Sequence, residues 1–140
     1  MSNPAISLPR LLVNQLLHYA QASPEAEVCG LVGGRAGFPE TFYPVKNAAP
    51  NPESRYVLDP EQHGRALRKI QESGEDLLAV FLSHPAAPAE PAAGDIEVAT
   101  HPDTLYLILS LNTKGVLELR GFRIGEKQCV GEVELLLDPD

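Results

Sequence analysis

The chain has 140 residues, of which 44% are hydrophobic and 21% charged, and its formal net charge is -8. This length suits one domain over residues 1–140 with a single core. The acidic balance argues against nucleic acid or an anionic membrane surface as a partner. No apolar run approaches the roughly 20 residues of a membrane helix, and no N-terminal secretion signal is present, so we expect a cytoplasmic protein.

A first helix is predicted from apolar residues at helical spacing, which are Leu8, Leu12, Leu16 and Tyr19. Ser7 is a suitable cap for its first turn. Residues 28–32 predict a short buried strand. The pair Gly33-Gly34 predicts a turn, after which residues 41–46 return as the second strand of a hairpin.

A second helix is predicted after a brief strand over residues 55–58. Asp59 is the expected cap, Pro60 occupies the first helical position, and the helix stops at Gly74. Residues 77–82 are six apolar residues in a row. Such a run is typical of a strand covered on both faces, and it predicts the central strand of the sheet.

The segment over residues 85–94 is dominated by Ala and Pro and predicts an ordered surface loop over the end of that strand. Helical spacing restarts at Asp95. Three further strands, joined by hairpin turns, are predicted over residues 104–111, 116–124 and 129–137. The pattern indicates an α/β fold with a mixed, largely antiparallel sheet flanked by helices.

Three residues have side chains suited to zinc chemistry. Glu27 opens the sequence Glu-Val-Cys-Gly-Leu, His84 ends the predicted central strand, and Asp95 follows eleven residues later. Each also has a structural explanation, as a solvated carboxylate, a turn histidine and a helix cap respectively. A nucleophilic arrangement with Ser83 is disfavoured, because neighbouring residues on a strand point to opposite faces.

The ordered set resembles the JAMM metalloprotease family, also called MPN, JAB or Mov34, and its small bacterial members in particular. That family has Glu, then His-Ser-His-Pro, then ten residues before Asp, with Ser three positions before the Asp. The likeness covers almost the whole chain, including Lys46-Asn47-Ala48. It implies a cytidine-deaminase-like fold, a zinc ion, and hydrolysis of isopeptide or peptide bonds at the C-terminal tails of ubiquitin-like and sulfur-carrier proteins.

The resemblance implies that Glu27 is the general base and that His84 and Asp95 are the second and third zinc ligands. Leu82 stands in place of the first ligand histidine, and Ala92 in place of the serine that stabilises the oxyanion. Leucine has no lone pair for zinc, so we expect weak or absent binding of the metal. Losing an oxyanion donor typically costs about 10²–10³ in rate. We therefore expect an impaired or inactive hydrolase that still binds a protein tail.

The competing hypothesis is an active zinc hydrolase whose metal shell is completed by a partner or by a substitute ligand, for which His63 and His101 are candidates. A third possibility is that Leu82 is an engineered or variant position in an otherwise active enzyme. The two cysteines, Cys29 and Cys129, form no CxxC pair and are predicted to be buried reduced thiols. Exposed sheet edges and the habit of the family are compatible with a homodimer.

Overall fold

The fold is described by a computed structural model over residues 5–92, 104–111, 118–124 and 130–137. It is an α/β fold in which helix α1 (Arg10–Gln21) and helix α2 (Pro60–Glu72) pack on opposite faces of a sheet. Within these residues, neither helix has the length and apolar character that a membrane span requires.

The strands among the described residues follow the predicted mixed pattern. They are β1 (Ile6–Leu8), β2 (Cys29–Arg35), β3 (Phe38–Val45), β4 (Asp76–His84), β5 (Leu105–Ser110), β6 (Glu118–Ile124), β7 (Val130–Val133) and β8 (Leu135–Leu137). The main sheet has the order β3-β2-β4-β5-β6-β7. Only the β4–β5 pair in it is parallel, so the prediction of a mixed, largely antiparallel sheet is confirmed for this part of the chain.

Strand β4 is central and covered on both faces, as its apolar run predicts. Val80 and Leu82 belong to the buried cluster that includes residues of α2, whereas Ala79 and Phe81 belong to the cluster that includes residues of α1. Because successive side chains of a strand point to opposite faces, a strand buried on both sides needs apolar residues at every position. The strand ends at His84, whose side chain is also buried.

Helix α2 begins as the sequence predicts. The Asp59 side chain accepts a hydrogen bond of 3.0 Å from the backbone N–H of Gln62, and Pro60 lies in the first turn. The helix ends before Gly74, whose positive φ of 73° is a conformation that glycine adopts without strain. The local signals at both ends of this helix therefore determined its position.

The predictions for the N-terminal segment and for the hairpin turn were wrong. Ser7 lies in β1, and α1 begins after Pro9 without a side-chain cap. Strand β2 continues through Gly33 and Gly34 instead of turning there, and the turn with positive φ falls at Ala36 and the glycine after it. A Cβ on Gly34 would lie 2.0 Å from a backbone oxygen of β3, so this glycine serves close approach of the two strands.

Two other strand predictions need correction. Residues 55–58 form no strand, and their β pairing is limited to an isolated bridge between Asn47 and Leu58. The last predicted strand divides at Glu134, whose carbonyl accepts a hydrogen bond from Ile6 of β1. Pairing with β1 is a tertiary effect that local patterning does not reveal. The predicted helix at Asp95 and the turns over residues 112–115 and 125–127 lie outside the described residues.

Candidate functional site

The pairing of β2 with β4 brings Glu27 level with His84. Cys29 pairs with Leu82 in the antiparallel register, and one position further the backbone N–H of Ser83 donates to the carbonyl of Val28 at 3.0 Å. Continuing this register by one residue places Glu27 opposite His84. Because side chains alternate, both lie on the face that carries Cys29 and Leu82.

The side chains of Glu27 and His84 are both buried, with relative exposures of 6% and 1%. A carboxylate and an imidazole are rarely this buried unless they are held by specific partners. Their position at one end of the central strand agrees with the pair predicted from sequence. Asp95, the third predicted site residue, lies outside the described residues.

The imidazole of His84 is oriented by a backbone carbonyl. Its Nδ1 lies 2.7 Å from the carbonyl oxygen of Pro88, which accepts a hydrogen bond when Nδ1 carries the proton. In that tautomer of the neutral ring, the lone pair is on Nε2. Metal-binding histidines are commonly oriented by a carbonyl in this way, so the contact is compatible with the predicted role of His84 as a ligand.

The described part of the segment that follows His84, residues 85–92, is attached to the sheet at several points. The backbone N–H of Leu111 donates to the carbonyl of His84 at 3.0 Å, and the Ser110 hydroxyl donates to the carbonyl of Ala87 at 2.7 Å. Ala89 is fully buried in the core cluster on the α2 face. Ala92 is exposed at the end of the described part of this loop.

Ser83 does not face His84. Its hydroxyl accepts a hydrogen bond of 3.0 Å from the backbone N–H of Val28 on the neighbouring strand. The side chain is completely buried and serves to connect β2 with β4. This contact agrees with the expectation from strand alternation that Ser83 and His84 point to opposite faces.

The backbone of Glu27 is fixed by the segment that follows β3. Its N–H donates to the carbonyl of Pro52 at 2.7 Å, and its carbonyl accepts a bond of 2.9 Å from the side-chain amide of Asn47. The same amide donates to the carbonyl of Arg55 at 2.8 Å. The backbone that presents the Glu27 carboxylate is therefore held by two different residues of this segment.

The side-chain oxygen of Asn47 also accepts hydrogen bonds. It accepts from the backbone N–H of Ala49 at 3.0 Å and from that of Val57 at 2.9 Å. The family resemblance includes Asn47 but predicts no role for its side chain. The bond to Ala49, two residues on, is the Asx-turn contact that asparagine makes in loops, but the bonds to distant segments have no signal in the sequence.

Cys29 lies beside Glu27 on the same face. Burial, and in second place the charge of Glu27, raise the pKa of the Cys29 thiol from 9.0 to about 12. The thiol donates a hydrogen bond to the carbonyl of Val45 at 3.3 Å. The prediction that Cys29 is a buried reduced thiol is confirmed, whereas Cys129 lies outside the described residues.

Position 82 supplies no donor atom to a three-ligand zinc site. Leu82 is completely buried and belongs to the apolar cluster that also contains Cys29, Val80 and Ala89. An alkyl side chain offers no electron pair to a metal. Among the residues that the structure describes, no three His, Cys, Asp or Glu side chains form a group able to hold a metal, and His63 on α2 joins none.

Comparison with known proteins agrees with the fold. Residues 9–124 match the family of prokaryotic homologs of the JAB domain. A desampylase from Haloferax volcanii is 34% identical over 116 residues, which cover 79% of this chain and 84% of that protein. A probable TtuB-protein conjugate cleaving protease from Thermus thermophilus is 37% identical over 129 residues, which cover 91% of this chain and 82% of that protein.

One solved structure has the same fold. The solution structure of a protein from Desulfitobacterium hafniense superposes with a TM-score of 0.82 at 34% identity, covering 96% of this chain and 94% of that one. The family match spans most of the chain and includes the positions of Glu27, Leu82 and His84. The chain therefore belongs to the prokaryotic branch of the JAB family, the JAMM or MPN group that its motif resembles.

Proposed function

We propose that this protein binds the C-terminal tail of a ubiquitin-like or sulfur-carrier protein beside Glu27 and His84, and that its hydrolytic activity is impaired or absent. The observation that carries the second part is the complete burial of Leu82 in an apolar cluster. The position that would supply the first zinc ligand is used for packing.

Two losses support impaired hydrolysis. With Leu82 in place, the zinc donors from the motif are the imidazole of His84 and, in our proposal, the carboxylate of Asp95. Two protein ligands hold zinc much more weakly than three, and a weakly bound ion is a poorer activator of water. Ala92 also has a methyl group where the family has a hydroxyl that stabilises the oxyanion, and such donors typically contribute about 10²–10³ in rate.

The identity of the partner is supported by the relatives and by the part of the site that remains. The Haloferax protein is named a desampylase, and the Thermus protein a probable protease that cleaves TtuB-protein conjugates. This chain keeps a buried carboxylate at Glu27 and an oriented imidazole at His84. A site that lacks one ligand but keeps these two side chains is suited to binding the same class of tail without efficient cleavage.

The second candidate function is an active zinc peptidase whose metal shell is completed by a substitute ligand. The carbonyl of Pro88 bound to His84 Nδ1 favours this candidate, since it orients the ring as in a metal site. His63 and His101 are the histidines proposed to complete the shell. His101, like Asp95, lies outside the described residues.

Metal content and tail binding separate the two candidates. The protein is purified with zinc supplied, and its zinc content is measured together with cleavage of a peptide fused to the tail of a sulfur-carrier protein. Calorimetry then compares binding of that carrier with binding of the same carrier after removal of its tail. We expect substoichiometric zinc, no turnover, and binding that requires the tail.

The controls make each result interpretable. Stoichiometric zinc, with cleavage that disappears in Glu27→Ala, would establish the active peptidase instead. Equal binding of the intact and the truncated carrier would contradict tail recognition, whatever the zinc content.

A further inference from the structure

We propose that a groove between α2 and the edge strand β3 binds an acidic segment of the partner protein. Four residues of α2 face β3 at the spacing of a single helical stripe, and they line the groove together with Tyr43 and Pro44: these are Gln62, Arg65, Ala66 and Lys69. This proposal adds a chemical property, acidity, to the partner of the proposed function. It depends on the proposed function only for the identity of that partner.

The groove is positively charged in an acidic protein. Its described lining residues include two cations, Arg65 and Lys69, and no carboxylate, whereas the whole chain has a net charge of -8. Arg65 has an ion pair with Glu61 at 3.1 Å, and both side chains are exposed. An exposed pair of this kind is weak, so the positive charge of the groove is available to a ligand.

The placement of two cations in the stripe is unfavourable for the helix itself. Arg65 and Lys69 are four residues apart on α2, where like charges repel each other. Lys69 has no carboxylate within ion-pair distance among the residues described. Two like charges without a carboxylate partner in the same protein destabilise the helix. Such a pair is expected where a binding partner supplies the opposite charge.

The shape of the groove selects side chains over a whole small molecule. Its volume is about 230 Å³, which is below the range of roughly 300–1,000 Å³ typical of small-molecule sites. Pro44 on the β3 wall has no backbone N–H, so it cannot donate to an added strand. Recognition in this groove therefore depends on charge and hydrogen bonding to acidic side chains.

The groove is connected to the candidate site. The side-chain oxygen of Gln62 accepts a hydrogen bond of 2.7 Å from the backbone N–H of Lys46. The next residue, Asn47, donates its side-chain amide to the carbonyl of Glu27 at 2.9 Å. A partner whose acidic segment occupies the groove would thus lie next to the segment that holds the backbone of Glu27.

The test uses two adjacent residues of α2 as a matched pair. Lys69→Glu changes a residue that lines the groove, and Arg68→Glu makes the same change in charge at an exposed neighbour that does not. The probe is a fluorescein-labelled decapeptide of alternating Glu and Ser, compared with one of alternating Gln and Ser, and binding is measured by anisotropy at low salt.

We expect the Glu peptide to bind and the Gln peptide not to bind, with affinity falling as NaCl is added. Lys69→Glu should weaken binding about tenfold, Lys69→Gln less than that, and Arg68→Glu by less than about twofold. Thermal melts establish that the variants remain folded. Absence of binding, equal effects of the two reversals, equal binding of both peptides, or displacement of the peptide by a short oligonucleotide at lower concentration would each overturn the proposal.

This test is independent of the proposed function because neither peptide carries a sulfur-carrier tail. Binding of the Glu peptide together with indifference to the tail of the carrier would support the groove and contradict tail recognition. If binding of the carrier requires its tail but is unchanged in Lys69→Glu, the result would support tail recognition and contradict the groove.

Discussion

Leu82 on β4 lies directly opposite Cys29 on β2, and the side chains of both residues are completely buried. The pair sits one register step away from Val28 and Ser83, and two steps from Glu27 and His84. This part of the candidate site is therefore an apolar contact between strands, and Glu27 and His84, whose side chains can transfer protons or bind a metal, lie at the end of the strand pair.

Truncation of Leu82 tests whether this position serves the core. Leu82→Ala removes a fully buried side chain from the cluster on the α2 face, so the free energy of unfolding should fall by about 2–5 kcal/mol. Urea denaturation measures the change. Leu137→Ala is the matched control, because Leu137 is 59% exposed and its truncation should cost less than about 1 kcal/mol. Equal losses in the two variants would show that Leu82 contributes no more packing than a surface leucine.

Restoring a donor at the same position tests whether the rest of the site survives. Leu82→His supplies an imidazole next to the oriented ring of His84, and we expect the folded variant to bind zinc with about one ion per chain. Zinc content after dialysis, measured by mass spectrometry, is the readout. Leu82→Asn, which is polar but a poor zinc ligand, is the control. A folded Leu82→His protein with as little zinc as the parent would mean that the other ligands are not in place.

The parts of the fold that the sequence predicted are those with local causes. The six apolar residues over 77–82 require burial on both faces, and Asp59 with Pro60 stabilises the start of α2 without help from the rest of the chain. Both features are confirmed. The register that aligns Glu27 with His84 is different, because it depends on how two strands more than fifty residues apart are paired.

The wrong predictions also result from contacts between distant parts of the chain. Ser7 has a side chain suited to a helix cap, yet its backbone pairs with β8 at the other end of the sequence. Gly33 and Gly34 have the composition of a turn, but their lack of side chains serves close packing against β3 and the residues around it. Propensity is a weak prior that tertiary pairing overrides, so composition alone assigned these residues to the wrong elements.

Asn47 should be a stabilising residue of the wall that holds Glu27. Asn47→Asp keeps an oxygen for the N–H groups of Ala49 and Val57 but removes the donors to the carbonyls of Glu27 and Arg55. Leaving a buried group without a partner typically costs about 1–3 kcal/mol. The bond to the Glu27 carbonyl is partly buried and the bond to the Arg55 carbonyl is exposed to water, so we expect a loss of stability of about that size in total.

Urea denaturation of Asn47→Asp is compared with that of Asn51→Ala. The amide of Asn51 donates only to the exposed Ser54 hydroxyl, at 3.1 Å, so its removal should change stability by less than about 0.5 kcal/mol. If the two variants are equally stable, the two hydrogen bonds that the Asn47 amide donates are replaced by water in solution.

The thiol of Cys29 should be unreactive in the folded protein. Burial and the nearby charge of Glu27 raise its pKa to about 12, and the thiolate is the reactive form. In a Cys129→Ser background, which leaves one thiol, a disulfide reagent at pH 8 should label Cys29 only after denaturant is added. Stoichiometric labelling within minutes under native conditions would contradict the burial of this residue.

The same shift predicts how stability depends on pH. Below about pH 9 the thiol is protonated in both the folded and the unfolded chain, so Cys29 contributes no pH dependence. Between about pH 9 and pH 12 the unfolded chain releases this proton while the folded protein retains it, so stability falls as the pH rises. Urea denaturation over this range should show a smaller decline in Cys29→Ala than in the parent. Tyr43, whose pKa is also raised, is present in both proteins. Because the charge of Cys29 contributes to the raised pKa of Tyr19, both proteins are compared in a Tyr19→Phe background.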